Sequence, residues 1–131
     1  MAESNLFKKG ANFFGFESID TEGKKHSHPL VIRGNGDLTL TDEGIYFIQW
    51  VTKKEYFIPL ADIIKVEVGS SHNLKAKWPS KVLKIHYPNM DQILIFGVAI
   101  GGKLSLTKGY KDDCYLWKEK IEKMMNSLKQ V

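Results

Sequence analysis

The sequence lacks most of the features that would assign a biochemical role at once. It has a single cysteine, Cys114, among 131 residues, so no internal disulfide can form. That favours a reducing compartment, and its setting among helix-forming residues suggests a buried thiol. No window is apolar enough for a bilayer span. The opening MAESNLFKKGANFFGF mixes acid, base and glycine, unlike the apolar core of a signal peptide, and a cytoplasmic location is expected. A strong net charge is absent too. The formal +4 with pI near 9.1 is mildly basic, well short of a chain that depends on nucleic acid for solubility.

Catalytic and cofactor signatures are equally thin. Cys114, His26, His28, His72 and His86 could supply a thiol and bases, yet they share no recognised spacing, so no enzyme activity is expected. The His26-x-His28 pair has no third ligand nearby and reads as solvated. Residues 97–103 spell G-x-x-x-x-G-K, but Leu104 follows where a Mg-binding Ser or Thr belongs. The next stretch, LSLTKGY, is no helix whose N-terminus could hold a phosphate, so nucleotide and cofactor binding are not expected.

What is present is a chain 43% hydrophobic, enough for one domain with its own core. Residues 36–60 alternate apolar with polar, turn at Asp42-Glu43-Gly44, alternate again, break at Thr52-Lys53-Lys54 and return through Tyr56 to Leu60. That pattern predicts an antiparallel meander with Leu38, Leu40, Ile45, Phe47, Ile58 and Leu60 on one face. Leu30-Val31-Ile32 reads as a strand before it, joined through Arg33-Gly34-Asn35-Gly36. Further strands are expected over 62–68, 81–87 and 91–98, with a polar loop over 69–80. Asp112-Asp113 caps a final helix whose Cys114, Trp117, Ile121, Met124, Met125 and Leu128 recur at helical spacing and need a sheet to cover. Residues 1–28 are expected to form an arm outside the domain proper, 29–131. There Leu6, Phe7, Phe13 and Phe14 would line a short helix capped by Ser4 or Asn5, although Gly10 falls inside it. This arm either closes an open face of the barrel or lays its Phe residues in a bilayer interface.

An order of seven short antiparallel strands and one helix resembles the pleckstrin homology (PH) superfold, and more narrowly the GRAM or bacterial PH-like group. The residues that carry the resemblance are Gly36, Leu38, Leu40 and Thr41, then Ile45 to Phe47, then Ile58-Pro59-Leu60, Ile63 and Val66. It extends to Leu83, Ile85, Phe96 and Trp117. It implies a mainly β fold, a PH-like seven-stranded antiparallel barrel or sandwich capped by one C-terminal amphipathic helix, serving as a binding module. Two departures stand out: the first inter-strand loop, basic in phosphoinositide-binding PH domains, is reduced to Gly34-Asn35 with only Arg33 beside it, and the 97–111 connection is long.

Charge position adds to this. Residues 70–111 hold seven Lys against Asp91 alone, while 29–69 are net acidic. In a meander, alternate loops emerge at one end, which would gather Arg33, Lys53, Lys54, Lys75, Lys77 and Lys81 there, offset by Asp37 and Glu55, and Asp42, Glu43, Asp62 and Asp91 at the other. Trp78, set between Lys77 and Pro79, either sits at headgroup depth or folds back over a strand. The expected function is therefore peripheral attachment to anionic lipid headgroups, with Arg33, Lys53, Lys54, Lys75, Lys77, Trp78 and Lys81 as contacts. The alternative is a protein-interaction module using a sheet edge or the groove beside the helix. A single strand of nucleic acid on the same lysines with Trp78 stacking is a weaker option, because no aromatic and basic platform is legible on the strands.

Overall fold

Within 36–60 the alternation folds as it dictates. The computed structural model describes residues 4–28, 34–73, 76 and 80–129. Its strands are β1 (Ser4–Ile19), β2 (Lys25–Ser27), β3 (Gly34–Thr41), β4 (Gly44–Gln49), β5 (Glu55–Pro59), β6 (Lys65–Gly69), β7 (Val82–Asn89), β8 (Gln92–Ala99), β9 (Gly102–Ser105) and β10 (Gly109–Asp112). A 3-10 turn at Leu60–Asp62 links β5 to β6, and helix α1 spans Cys114–Lys129. The expected strand over 30–32 lies outside the described residues.

Seven strands follow the path β5-β4-β3-β1-β8-β7-β6, with β2 added beside β1. Every pairing along that path is antiparallel. The result is an antiparallel β-sandwich capped by one C-terminal helix, a PH-like architecture. Inward-facing Leu38, Leu40, Ile45, Phe47, Ile58, Leu83, Ile85, Phe96 and Val98 are all essentially inaccessible. At their centre Phe13 stacks on Phe96 with centroids 4.9 Å apart and lies 5.4 Å from Phe47. Such aromatic pairs add to the burial of apolar area that drives the fold.

The first strand corrects the reading of the N-terminal residues. They form no short helix. They form β1, the middle strand of the path, which pairs with β3 through its first half and with β8 through its second. The registers shift between Lys9 and Ala11 and between Phe13 and Gly15, where Gly10 and Gly15 take φ of 80° and 88°. These bulges break the period of two, so Ala11, Phe13 and Phe16 reach the core at uneven spacing while Phe14 lies in a separate cluster with Val82 and Ala99. Phe7, expected on the buried side, is 57% exposed. The shortened first loop, expected at Gly34-Asn35, is corrected as well: both residues belong to β3, opposite Phe13 and Asn12 of β1.

Helix α1 starts where Asp112 Oδ1 accepts the Cys114 N–H at 2.9 Å, satisfying an otherwise orphaned donor. Cys114, Trp117, Ile121 and Met125 are buried in the main core, whereas Leu128, expected on the same stripe, is 44% exposed. Burial pushes the Cys114 thiol up, so it stays protonated.

Candidate functional site

One end of the sandwich is organised around Asn12, which lies opposite Asn35 of β3 and Ala99 of β8. The start of β3 and the end of β8 therefore meet there. The turn after β4 joins them, since the Trp50 N–H donates to the Asn35 carbonyl at 3.0 Å. Within that turn the Gln49 N–H donates to the Lys54 carbonyl at 2.9 Å and the Lys53 N–H to the Gln49 carbonyl at 3.0 Å. Lys53 takes a left-handed φ of 62°. Both lysines are exposed, and Lys54 Nζ sits 5.4 Å from the centroid of Tyr56.

The connection from β6 to β7 reaches the same end. Its far side is fixed by Asp112, whose Oδ2 accepts the Lys81 N–H at 2.8 Å and the Tyr110 hydroxyl at 2.6 Å. The Lys81 ammonium donates to Ser70 Oγ at 3.3 Å across the neck of the loop. Burial raises the Asp112 carboxyl, but the Tyr110, Lys81 and Cys114 hydrogen bonds outweigh that and hold it below the usual range. It therefore stays an anion, as a clamp accepting several N–H and O–H groups must.

The near side of that connection is buried against the outer face of β1, β7 and β8. The His72 ring lies on Gly97, where an added Cβ would come within 2.1 Å of the ring carbon Cδ2, and its Nε2 donates to the Gly15 carbonyl at 2.9 Å. Glu17 accepts the Asn73 N–H at 2.9 Å. Its other oxygen has Lys25 Nζ at 3.2 Å, His72 Nδ1 at 3.4 Å and Lys84 Nζ at 3.8 Å. Burial lowers the His72 pKa to about 4, against the raising influence of Glu17, so the ring is neutral near pH 7. Asn73 closes the cluster, donating to the His28 and Phe14 carbonyls.

Of the residues expected to carry the site, the structure brings Lys53, Lys54 and Lys81 to this end. Arg33, Lys75, Lys77 and Trp78 lie outside the described residues. Turns at the opposite end present Asp42, Glu43, Asp62 and Asp91, all exposed. Exposed Glu55 follows Lys54 at the basic end, and exposed Lys65 stands near Asp62 at the other, so the two ends differ in their turns and not in every side chain.

Sequence reasoning missed two surfaces. The long 97–111 connection contains the β9–β10 hairpin, which sets exposed Lys103, Lys108 and Lys111 beside exposed Leu104 and Leu106 at the basic end. The turn residues Thr107-Lys108-Gly109 between short alternating runs were the available signal. The second is a row on the outer face of the first half of the path, where register places Phe7, Thr39, Tyr46 and Phe57 side by side. Tyr46 and Phe57 stack with centroids 4.4 Å apart, and Ile48 nearby is 43% exposed. Aromatics thus share a sheet face, while the charges flanking them, Lys9, Asp37 and Glu55, are of mixed sign.

The histidines are each engaged separately. His26 Nε2 is 2.8 Å from Asp20, His28 Nε2 is 2.8 Å from Ser18 Oγ, and His86 Nε2 is 2.8 Å from Glu67. Among the described residues no cluster of three or more His, Cys, Asp or Glu is placed to hold a metal ion, and no helix is long and apolar enough to cross a membrane. The residues after Gly102 form strand β9, in place of the helix that a phosphate loop needs. The sequence matches no protein-family model and no curated protein.

Proposed function

We propose that this chain is a non-catalytic binding module of the GRAM or bacterial PH-like kind, attached peripherally to anionic membrane through the basic end of its sandwich. The observation that carries the reading is the segregation of charge: the connections at 50–54, 70–81 and 100–111 hold the lysines, and the opposite turns hold the acids. A molecule so polarised is steered basic end first toward a negative surface. Each lysine near an anionic leaflet contributes about 1 kcal/mol, so four or five together reach useful affinity without any enclosed pocket.

Liposome flotation tests this. Wild type is expected to float with phosphatidylserine-containing vesicles and not with phosphatidylcholine alone. Lys53→Glu/Lys54→Glu and Lys75→Glu/Lys77→Glu should each weaken flotation roughly tenfold or more. Equal behaviour of wild type and both variants, or no flotation of any, overturns the lipid reading.

The second reading, a protein-interaction module, is favoured by strand β6, which ends the sheet path beside α1. A groove of about 420 Å³ runs there between Ile64, Lys65 and Val66 and the helix residues Glu122, Met125, Asn126 and Lys129. An extended peptide could add to that edge and place an apolar side chain against Met125. In the same flotation experiment this reading predicts no lipid association at all.

A further inference from the structure

We propose that the β9–β10 hairpin is the membrane-inserting element of the basic end, with Leu104 and Leu106 entering the acyl boundary and Lys103, Lys108 and Lys111 holding lipid phosphates. This rests on the peripheral membrane reading above and names the part of the surface that penetrates.

Three observations converge on the hairpin. It forms a separate two-stranded sheet off the main path, yet its base is fixed. Tyr110 and Asp112 tie it to Ser80 and Lys81, and the Asp113 N–H donates to the Gly101 carbonyl at 2.8 Å. The tip is ordered too, since Ser105 Oγ accepts the Thr107 and Lys108 N–H groups at 3.3 Å each. A stiff projection loses little conformational entropy when it enters a surface.

Second, Leu104 is 80% exposed and Leu106 fully so. Neither is covered by any described part of the chain. Burying a leucine fully is worth about 1.5–3 kcal/mol relative to leaving it in water. An adjacent pair on a rigid tip is an apolar wedge of the size an interfacial anchor uses.

Third, the charges around the wedge are of one sign and arranged for anions. Residues 102–111 hold Lys103, Lys108 and Lys111 and no acid. Register places Lys103 directly opposite Lys111 across the two strands, where like charges repel. A phosphate between them converts that repulsion into attraction. Lysine stems can also lie along the apolar boundary while their ammonium groups stay at headgroup level. A bilayer with anionic headgroups supplies both the phosphates and the hydrocarbon that this element lacks in water. A soluble anion supplies only the first.

The test uses the full chain and phosphatidylcholine vesicles containing about a fifth phosphatidylserine. Leu104→Ser/Leu106→Ser keeps every lysine, and because both side chains are exposed it should leave the thermal midpoint unchanged. Its vesicle affinity is expected to fall roughly tenfold or more. In a second variant, Leu106→Cys, the new thiol is the accessible one because Cys114 is buried. Labelled with an environment-sensitive fluorophore, it should shift to the blue on these vesicles and be quenched by lipids brominated in the acyl chain. If wild type binds but the serine variant binds as well and the label neither shifts nor is quenched, the inference falls and the electrostatic reading stands. If wild type does not bind, both fall.

Discussion

Lys53 occupies a backbone position that suits glycine. Its left-handed φ of 62° costs a residue with a Cβ about 1–2 kcal/mol, and glycine's freer unfolded chain takes back about 0.5–1 kcal/mol of that gain. Lys53→Gly is therefore expected to raise stability by about 0.5–1 kcal/mol in urea denaturation while weakening binding to anionic vesicles several-fold. Opposite signs in the two measurements cannot come from misfolding. Equal binding would mean that this lysine makes no contact with lipid. At this scale sequence reasoning did part of the work. Counting hairpins was enough to send Lys53, Lys54 and Lys81 to one end, because loop alternation in a meander depends on connectivity alone. It could not place Lys103, Lys108 and Lys111, since the 97–111 connection stood out only by its length and the hairpin within it gives those lysines their direction.

Among the elements, β3, β4, β5 and α1 were legible because their apolar positions keep a clean period, and β1 was not because register shifts between Ser4 and Leu6, Lys9 and Ala11, and Phe13 and Gly15 change its phase. The seating of His72 on β8 was also hidden, since nothing local marks Gly97 as a place where a ring must lie. That contact makes a prediction. A Cβ at position 97 would overlap His72, so Gly97→Ala should cost about 1–3 kcal/mol in urea denaturation. In a double-mutant cycle with His72→Ala the two losses should be markedly less than additive, because the smaller side chain leaves room for the methyl. Full additivity would show that the overlap is relieved elsewhere.

For the molecule as a whole, the buried cluster sets an acid limit. His72 faces Glu17, Lys84, Lys25 and the Gly15 carbonyl. Burial is the main reason that its folded-state pKa is about 4, below the ordinary 6.5. Between those values the unfolded chain binds a proton that the native state refuses. Stability from this group is thus complete above about pH 6.5 and declines as pH falls toward 4, by on the order of 3 kcal/mol. Glu17 is raised by burial but held lower overall by Asn73, His72, Lys25 and Lys84, so its contribution is lost at still lower pH. Thermal midpoints across pH 4–7 should show the decline, and His72→Gln should flatten it; an unchanged slope would place its origin elsewhere.

The position of β1 has a consequence for how the chain reaches this state. Its first partner, β3, comes soon after it in synthesis, but its second, β8, is among the last strands made. A nascent chain therefore carries β1 with one flank zipped and the other waiting for β8, the last strand of that sheet to be made. Closure of so distant a contact is slow, and until it happens the bare flank is available to any neighbouring chain that offers a strand.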